Sequence, residues 1–249
     1  MTNQAHIPGR RWRPLLLAGP FFDPGARVNR THVLLVNSMA MWLTAFMTTS
    51  INVALPTIQG EFSLGPVALG WLPLAYLLST AAFLVPFGRL ADLHGRRKIF
   101  LLGLIIYAFS TLAFAFSPIY ALLVTFRASQ GLGAAMIFAG STAMVILAYP
   151  PEQRGRAMGI NVAAAYLGQT MGPAVGGIVT HTLGWRGLFM LAAGYAFINL
   201  FLDFALLRHA EWREEGEHGF DWRGSLIYTL SLGAFLFGLS SLPESLGIA

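Results

Sequence analysis

Residues 33–56 read VLLVNSMAMWLTAFMTTSINVALP, a stretch without a charged side chain. The hydrocarbon core of a bilayer is about 30 Å thick, and roughly 20 helical residues cross it. A single segment satisfies its own backbone hydrogen bonds there only as a helix. Six further apolar runs of similar length follow, at residues 67–88, 99–117, 118–144, 157–183, 187–207 and 224–243. The sequence therefore predicts an all-α, polytopic membrane protein with about seven transmembrane helices.

Composition agrees with a membrane protein. Hydrophobic residues make up 55% of the chain and charged residues 11%, a balance too apolar for a soluble domain of this length. The third and fourth runs are divided at Ser117-Pro118, because a helix rarely continues through the residue before a proline. The absence of cysteine excludes disulfides and thiolate metal sites. No phosphate loop, metal-ligand cluster, nucleophile-base pair or cofactor fingerprint stands out, so neither an enzyme nor a bound cofactor or metal is expected.

The formal charge of +5 raises the possibility of nucleic-acid binding, but the basic residues follow the membrane instead. They occupy alternate connections: Arg10, Arg11, Arg13, Arg27 and Arg30 before the first run, Arg89, Arg96, Arg97 and Lys98 after the second, Arg154 and Arg156 after the fourth, and Arg208, Arg213 and Arg223 after the sixth. The positive-inside rule then predicts a cytoplasmic N-terminus in a bacterial cell membrane. The predicted organisation is a cytoplasmic tail (1–32), a six-helix bundle (33–207), a cytoplasmic linker (208–223), and a seventh helix with an external C-terminus (224–249).

The connection between the second and third runs reads GRLADLHGRRK at residues 88–98. Gly88 and Gly95 permit close helix approach and left-handed backbone, and Asp92 is an acid among four bases. Arg96 and Arg97 are suited to contact anionic headgroups. Charge alone is explained by a basic loop that only sets topology, whereas the full spacing is more specific.

That spacing resembles the signature loop of the major facilitator superfamily, and two further segments are similar to motifs of the same family. They are RASQGLGAA at residues 127–135, similar to its buried-arginine motif, and GQTMGPAVGG at residues 168–177, similar to its antiporter motif. INVALP (51–56) and GWR (184–186) resemble the fourteen-helix drug:proton antiporters of the EmrB/QacA type. The resemblance covers roughly residues 33–243.

The resemblance implies a fold of two halves, each built from inverted three-helix repeats, with substrate bound between them. This chain would supply the N-terminal half plus one extra helix, as a truncated sequence or as one that needs a second transporter half as partner. The implied function is secondary active export of small amphipathic drugs or metabolites by proton antiport. The signature loop (Gly88, Asp92, Gly95, Arg96 and Arg97) would act as a conformational switch.

Two charges fall inside the apolar runs. Arg127 lies about two turns into the fourth run, where a charge costs roughly 2.5–3.5 kcal/mol to insert. It is expected to face the bundle interior and, by resemblance, to take part in coupling; the alternative is snorkelling at the outer interface. Asp203, near the cytoplasmic end of the sixth run, is either an interfacial acid paired with Arg208 or water, or a coupling acid.

Glycine recurs every four residues in the fifth run, at Gly168, Gly172 and Gly176, which places the three on one helix face for close packing. Pro173 frees a carbonyl in the same segment. The resemblance adds a second role, in which this segment with Gly177 seals the path between the halves against ion leak. Packing and sealing are compatible.

One position departs from the family. Antiporters of this type commonly carry an aspartate where this chain has Met47, and the first run contains no acid. A desolvated carboxylate is the usual proton carrier, so uniport or uptake remains an alternative, as does a non-transporting subunit or remnant. Candidate cavity-lining residues are Asn52, Thr48, Gln130, Tyr166 and Gln169. The substrate, the coupling ion and the oligomeric state are left open.

Overall fold

A computed structural model describes residues 29–208, residue 210 and residues 222–245. Its elements are six helices: α1 (Arg30–Phe62), α2 (Pro66–His94), α3 (Arg96–Ala115), α4 (Tyr120–Ala148), α5 (Pro151–Leu207) and α6 (Trp222–Ser245). The all-α prediction is confirmed. The residues of the predicted tail up to 28 and most of the predicted linker (209 and 211–221) lie outside the described residues.

Helix α1 is longer than the first apolar run. It begins at Asn29, whose side-chain oxygen accepts a hydrogen bond from the Thr31 amide at 3.0 Å, the usual way to satisfy a free N–H in a first helical turn. It continues through Pro56 and ends at Ser63, which adopts the left-handed conformation (φ 51°) typical of a helix C-terminus. The end of α1 thus carries Glu61 beyond the apolar run.

Helix α5 covers two predicted runs. A straight helix of its 57 residues would be about 85 Å long at 1.5 Å per residue, far more than a bilayer's thickness. Gly184 interrupts it with non-helical dihedrals (φ 74°, ψ 170°), which only glycine adopts readily. We call the two arms α5a (151–183) and α5b (185–207). The predicted division at Ser117-Pro118 is also found, since α3 ends at Ala115 and α4 begins at Tyr120.

The bundle is built by helix-on-helix packing. α1 packs chiefly along α5, α4 packs on both α2 and α3, and α6 lies against α2. At the end of the bundle near the α5 break, the Phe114 ring stacks on Phe189 at 4.0 Å between centroids and meets Trp185 edge-on at 5.6 Å. Such aromatic pairs add to the packing that fixes α5b beside α3.

Five helices, α1 to α5, are long and apolar enough to cross a membrane. Together with the break in α5 they account for six of the seven predicted spans. Helix α6 covers the seventh run, and its crossing of the membrane stays a prediction.

Candidate functional site

The signature turn is formed by the end of α2 and the start of α3. Gly95 is the single residue between the two helices, and its φ of 112° requires glycine. Asp92, in the last turn of α2, accepts two hydrogen bonds from Arg96, from Nε at 2.9 Å and Nη2 at 2.7 Å. Gly88 differs from expectation: a Cβ built there meets no atom within 4 Å, so no neighbouring helix of the described chain needs that glycine.

Arg97, at the start of α3, contacts the end of α5b, 106 residues further along the chain. Its Nη2 lies 2.7 Å from Asp203 Oδ2, and both side chains are largely or fully buried, with exposed fractions of 11% and 0%. The guanidinium also donates to the backbone oxygens of Asp203 at 3.3 Å and Arg208 at 3.4 Å. The expected partner of Asp203 was the Arg208 side chain or water; the partner is Arg97 instead. This contact joins the α2–α3 turn to the end of α5b.

Arg127 is fully buried between α4 and α2, so the interior placement is found and the snorkelling alternative is not. Its Nε donates to the Leu72 carbonyl at 3.1 Å and its Nη1 to Gln130 Oε1 at 2.6 Å. Its guanidinium carbon also lies 4.9 Å from the centroid of the Tyr76 ring. In the described part of the chain no carboxylate forms an ion pair with Arg127. Neutral dipoles and a π-face therefore surround this cation.

Gln130 belongs to the Arg127 cluster and not to a cavity wall. Its side chain is buried (1% exposed), and its amide nitrogen donates to Thr111 Oγ1 at 2.7 Å. The prediction that Gln130 lines an exposed cavity is therefore wrong for the described chain, because Arg127 and Thr111 occupy both ends of its amide. A buried hydroxyl beside the cluster, that of Tyr107, has no hydrogen-bond partner among the described residues.

The glycine face of α5a meets α1 at backbone contact. A Cβ at Gly168 would clash with the Trp42 carbonyl, one at Gly172 with the Thr49 hydroxyl, and one at Gly176 would come within 2.8 Å of Ser50. The packing role predicted for these three glycines is thus realised inside this bundle. Gly177 lies apart from them, since a Cβ there meets nothing within 4 Å, and Pro173 is exposed.

The remaining cavity candidates lie on α1 and α5a. Asn52, Gln169 and Tyr166 are exposed, the last with 66% of its surface open, and Thr48 is half-buried. Met47 is fully buried in the core. The position that carries an aspartate in the antiporters is therefore occupied here by a packed apolar side chain.

Sequence reasoning missed a polar contact at the opposite end of the bundle from the signature turn. Glu61 Oε2 accepts from Trp185 Nε1 at 2.8 Å and from Arg186 Nη1 at 2.6 Å, which ties the end of α1 to the start of α5b. The Arg186 guanidinium also lies 4.2 Å from the Trp185 ring centroid. The hydrogen bond from Arg186 holds the pKa of the Glu61 carboxyl below its usual value. The GWR segment marked Trp185 and Arg186 in the sequence, but their partner Glu61 is more than 120 residues away and could not be identified from a local pattern.

No group of three or more His, Cys, Asp or Glu side chains within the described ranges is arranged to hold a metal ion. The described residues form a helical bundle with charge clusters at its ends and a buried cation, Arg127, about two turns into α4.

Comparison with known proteins gives related transporters. Multidrug resistance protein Stp of Mycobacterium tuberculosis (strain CDC 1551 / Oshkosh) is 33% identical over 220 residues, which cover 87% of this chain and 41% of Stp. The cephamycin export protein CmcT of Amycolatopsis lactamdurans is 32% identical over 215 residues, covering 86% of this chain and 44% of CmcT. The riboflavin transporter RibZ of Clostridioides difficile (strain 630) is 28% identical over 196 residues, 79% of this chain and 43% of RibZ. The chain thus spans less than half the length of these relatives.

Among solved structures, a bacterial homolog to the human lysosomal transporter Spinster, in an inward-facing and unoccupied conformation, matches with a TM-score of 0.68. At 22% identity over 78% of this chain and 46% of that one, the likeness shows the fold. The family model of the Major Facilitator Superfamily matches residues 38–244, most of the chain. With its signature turn, buried arginine and glycine face in family order, this multi-pass membrane protein belongs to the Major Facilitator Superfamily of transporters.

Proposed function

We propose that this chain forms the N-terminal half of a secondary transporter that exports small amphipathic compounds by proton antiport. The observation that carries the proposal is the uneven covering of the bundle: α2 and α5 are the least buried of the five apolar helices. The exposed face of α5a also carries polar and aromatic groups, Gln169 and Tyr166, and Asn52 of α1 is exposed as well. Polar surface of that kind is stable at membrane depth only against protein or water, which supports a second half packed around a central cavity.

Export as the direction of transport rests on the relatives. Stp is named for multidrug resistance and CmcT for cephamycin export. Both match this chain over more than four fifths of its length. RibZ is named for riboflavin, so a single substrate does not follow from the likeness.

A cytoplasmic N-terminus is proposed from the distribution of charge. The Tyr149 hydroxyl donates to the Arg30 carbonyl at 3.2 Å, which joins the end of α4 to the start of α1. By the alternation of the helices, the Arg97–Asp203 contact falls at this same end. Arg30, Arg97 and Arg208 therefore share one end of the bundle, and Arg186 lies at the other, in keeping with the positive-inside rule. Cysteine labelling at positions 2 and 249 of this cysteine-free chain tests the topology, and reaction of an impermeant reagent at Thr2 in intact cells would contradict it.

We propose that a residue other than Asp203 carries the proton. That carboxylate is held by Arg97 at 2.7 Å and has no exposed surface, so we assign it to the contact with this arginine and not to proton transfer. We expect Asp203→Asn, compared per inserted molecule in the complete assembly, to keep efflux that depends on a pH gradient. Loss of that dependence with substrate affinity intact would instead assign coupling to α5b.

Uniport is the second candidate, and Met47 is the observation that favours it. This fully buried methionine stands at the position of the antiporters' aspartate, so the first apolar run, residues 33–56, supplies no carboxylate. Dye efflux from proteoliposomes separates the candidates. The chain is reconstituted alone and with the C-terminal half of Stp, each with and without a pH gradient. Efflux that needs both halves and the gradient supports antiport by a half transporter; efflux with both halves but independent of the gradient supports uniport. No flux with both halves inserted would favour a non-transporting subunit.

Asp92 is proposed to hold one conformation of the transport cycle. It binds Arg96 of the same turn and remains 32% exposed, so it has surface left for a partner in a second half. Asp92→Asn keeps the shape and weakens the proposed charge-assisted contact with the second half by roughly 1–2 kcal/mol, enough to shift a conformational equilibrium several-fold. Insertion should be unchanged and transport should fall. Unchanged transport would leave the turn with a purely topological role.

A further inference from the structure

Prolines inside membrane helices leave one carbonyl without its helical donor. A proline at position i has no N–H to give to the carbonyl of residue i−4, and its ring pushes that carbonyl away from the helix axis. In water such a carbonyl is hydrated, but in the membrane it needs a partner from the protein. Pro173 in α5 frees the carbonyl of Gln169 in this way, and Pro86 in α2 frees that of Ala82.

The Gln169 carbonyl receives a hydrogen bond from another helix. Thr49 of α1 donates its hydroxyl to this oxygen at 3.0 Å. The same hydroxyl lies 3.2 Å from the Phe46 carbonyl of its own helix, where a threonine of a regular helix would normally bond. Thr49 thus sits between its own helix and the one carbonyl of the neighbouring segment that proline has left free.

Gly172 makes the contact possible. A Cβ at this position would collide with Thr49 Oγ1, so the hydroxyl occupies the notch that the missing side chain leaves. The three residues are complementary: Pro173 removes a donor, Gly172 opens the approach, and Thr49 supplies the replacement from α1. Neither residue of the Gly-Pro pair explains the contact alone.

A second, independent case follows the same rule. Thr229 of α6 donates its hydroxyl to the Ala82 carbonyl at 3.2 Å, and this is the carbonyl that Pro86 frees in α2. Here the contact links α2 to α6, the helix that follows the predicted bundle of residues 33–207. Two of the prolines inside the described helices are therefore matched by a threonine from a different helix.

We propose that Thr49 and Thr229 are positioning residues that replace, from neighbouring helices, the hydrogen bonds that Pro173 and Pro86 remove. Thr49 fixes the Gly172-Pro173 segment of α5a against α1, and Thr229 fixes the place at which α6 docks on α2. The consequence for transport rests on the proposed function, because Gln169 and Pro173 lie on the exposed face assigned to the cavity. The hydrogen bonds themselves do not depend on it.

The decisive experiment is a double-mutant cycle on the purified chain, read by thermal unfolding. Thr49→Val should lower the melting temperature by about 2–4 °C, the value of one lost hydrogen bond in a chain of this size. In a Pro173→Ala background, residue 173 again has an N–H for the Gln169 carbonyl, so the same substitution should cost less than half as much. Thr49→Ser should restore the wild-type value. Equal losses in both backgrounds would overturn the proposal, because plain packing does not depend on the residue at 173.

Matched controls are available in α1. Thr48 donates its hydroxyl to the Thr44 carbonyl of its own helix at 2.7 Å and not to the carbonyl that Pro173 frees. Ser50 donates to the Gly172 carbonyl at 3.1 Å, an oxygen whose helical donor, the Gly176 amide, is present. Thr48→Val and Ser50→Ala should therefore give the same effect with proline or alanine at 173. The corresponding cycle of Thr229→Val with Pro86→Ala tests the contact of α6.

A spectroscopic measurement keeps the proposal testable should Pro173→Ala fail to fold. The sequence contains one Gln-Thr dipeptide, Gln169-Thr170, so a chain labelled with 13C-carbonyl glutamine and 15N threonine gives one peptide resonance. Thr49→Val should move this carbonyl resonance upfield, the direction of a lost hydrogen bond, while Thr49→Ser and Thr48→Val leave it in place. An unmoved resonance in Thr49→Val would refute the assignment. Neither measurement involves transport, so their failure is distinct from failure of the proposed efflux function.

Discussion

Removing the Asp203 carboxylate should destabilise the bundle measurably, and the structure sets the size of the effect. The Arg97–Asp203 pair is 2.7 Å long and involves a fully buried acid. Breaking a buried pair by removing one partner typically costs about 3–5 kcal/mol. Two features lower this figure: Arg97 keeps its backbone acceptors at Asp203 and Arg208, and an asparagine oxygen still accepts a hydrogen bond. For Asp203→Asn we expect a loss of about 2–3 kcal/mol, equivalent to about 5–10 °C in melting temperature.

The assay is thermal unfolding of the detergent-purified chain followed by tryptophan fluorescence. Asp92→Asn is the matched control, because its pair with Arg96 lies within one turn and is 32% exposed on the acid side. Such pairs contribute about 0.3–0.5 kcal/mol, so this variant should melt within about 2 °C of the wild type. Arg97→Gln combined with Asp203→Asn should cost less than the sum of the single changes. A melting temperature for Asp203→Asn as close to the wild type as that of Asp92→Asn would refute the reasoning.

Two further predictions concern packing and pH. Gly131→Ala should lower the free energy of unfolding by about 1–3 kcal/mol, because the new Cβ collides with the backbone carbonyl of Tyr76. Gly177→Ala should be nearly neutral, since a Cβ there meets no atom within 4 Å. Equal melting temperatures for the two variants would contradict the packing described. The lowered pKa of Glu61 predicts a contribution to stability that is complete above the ordinary value of 4.5 and is lost as the pH falls through the lowered pKa, since the contact with Arg186 needs the carboxylate. Glu61→Gln should remove this part of the acid sensitivity, and an unchanged stability profile between pH 6 and pH 3 relative to the wild type would show that the contact contributes nothing.

The sequence predicted those features that follow from local spacing or from the cost of a buried charge. Helix boundaries at Ser117-Pro118, the common face of Gly168 and Gly172, and the interior position of Arg127 are examples. Each depends on a rule that acts within one segment: proline geometry, helical periodicity, or the penalty for charge in a membrane. Such rules need no knowledge of how the helices are arranged.

Features that depend on pairing between distant segments were missed. Arg97 and Asp203 are 106 residues apart, and no local pattern distinguishes Arg97 from Arg208 as the partner of this acid. Gln130 looked like a cavity residue because a polar group in a membrane helix has two uses, lining a cavity or bonding a neighbour. Only the three-dimensional positions of Arg127 and Thr111 decide between them. The hydrogen bond from Thr49 to the Gln169 carbonyl was missed for the same reason, because the two residues are 120 positions apart in the sequence.

Arg97 and Arg127 are both buried but are neutralised in different ways, and the difference bears on coupling. Arg97 is balanced by a carboxylate at one end of the bundle, whereas Arg127, about two turns into α4, is balanced by a carbonyl, an amide and an aromatic face. A pair with a carboxylate can respond to a proton, because protonation of the acid removes the partner charge; neutral dipoles cannot respond in this way. Within the described part of the chain, the interior cation is thus held by groups that do not titrate near neutral pH. Proton coupling through Arg127 would then require an acid contributed by the proposed second half, and without one Arg127 acts as a fixed charge that organises α2 and α4 around it.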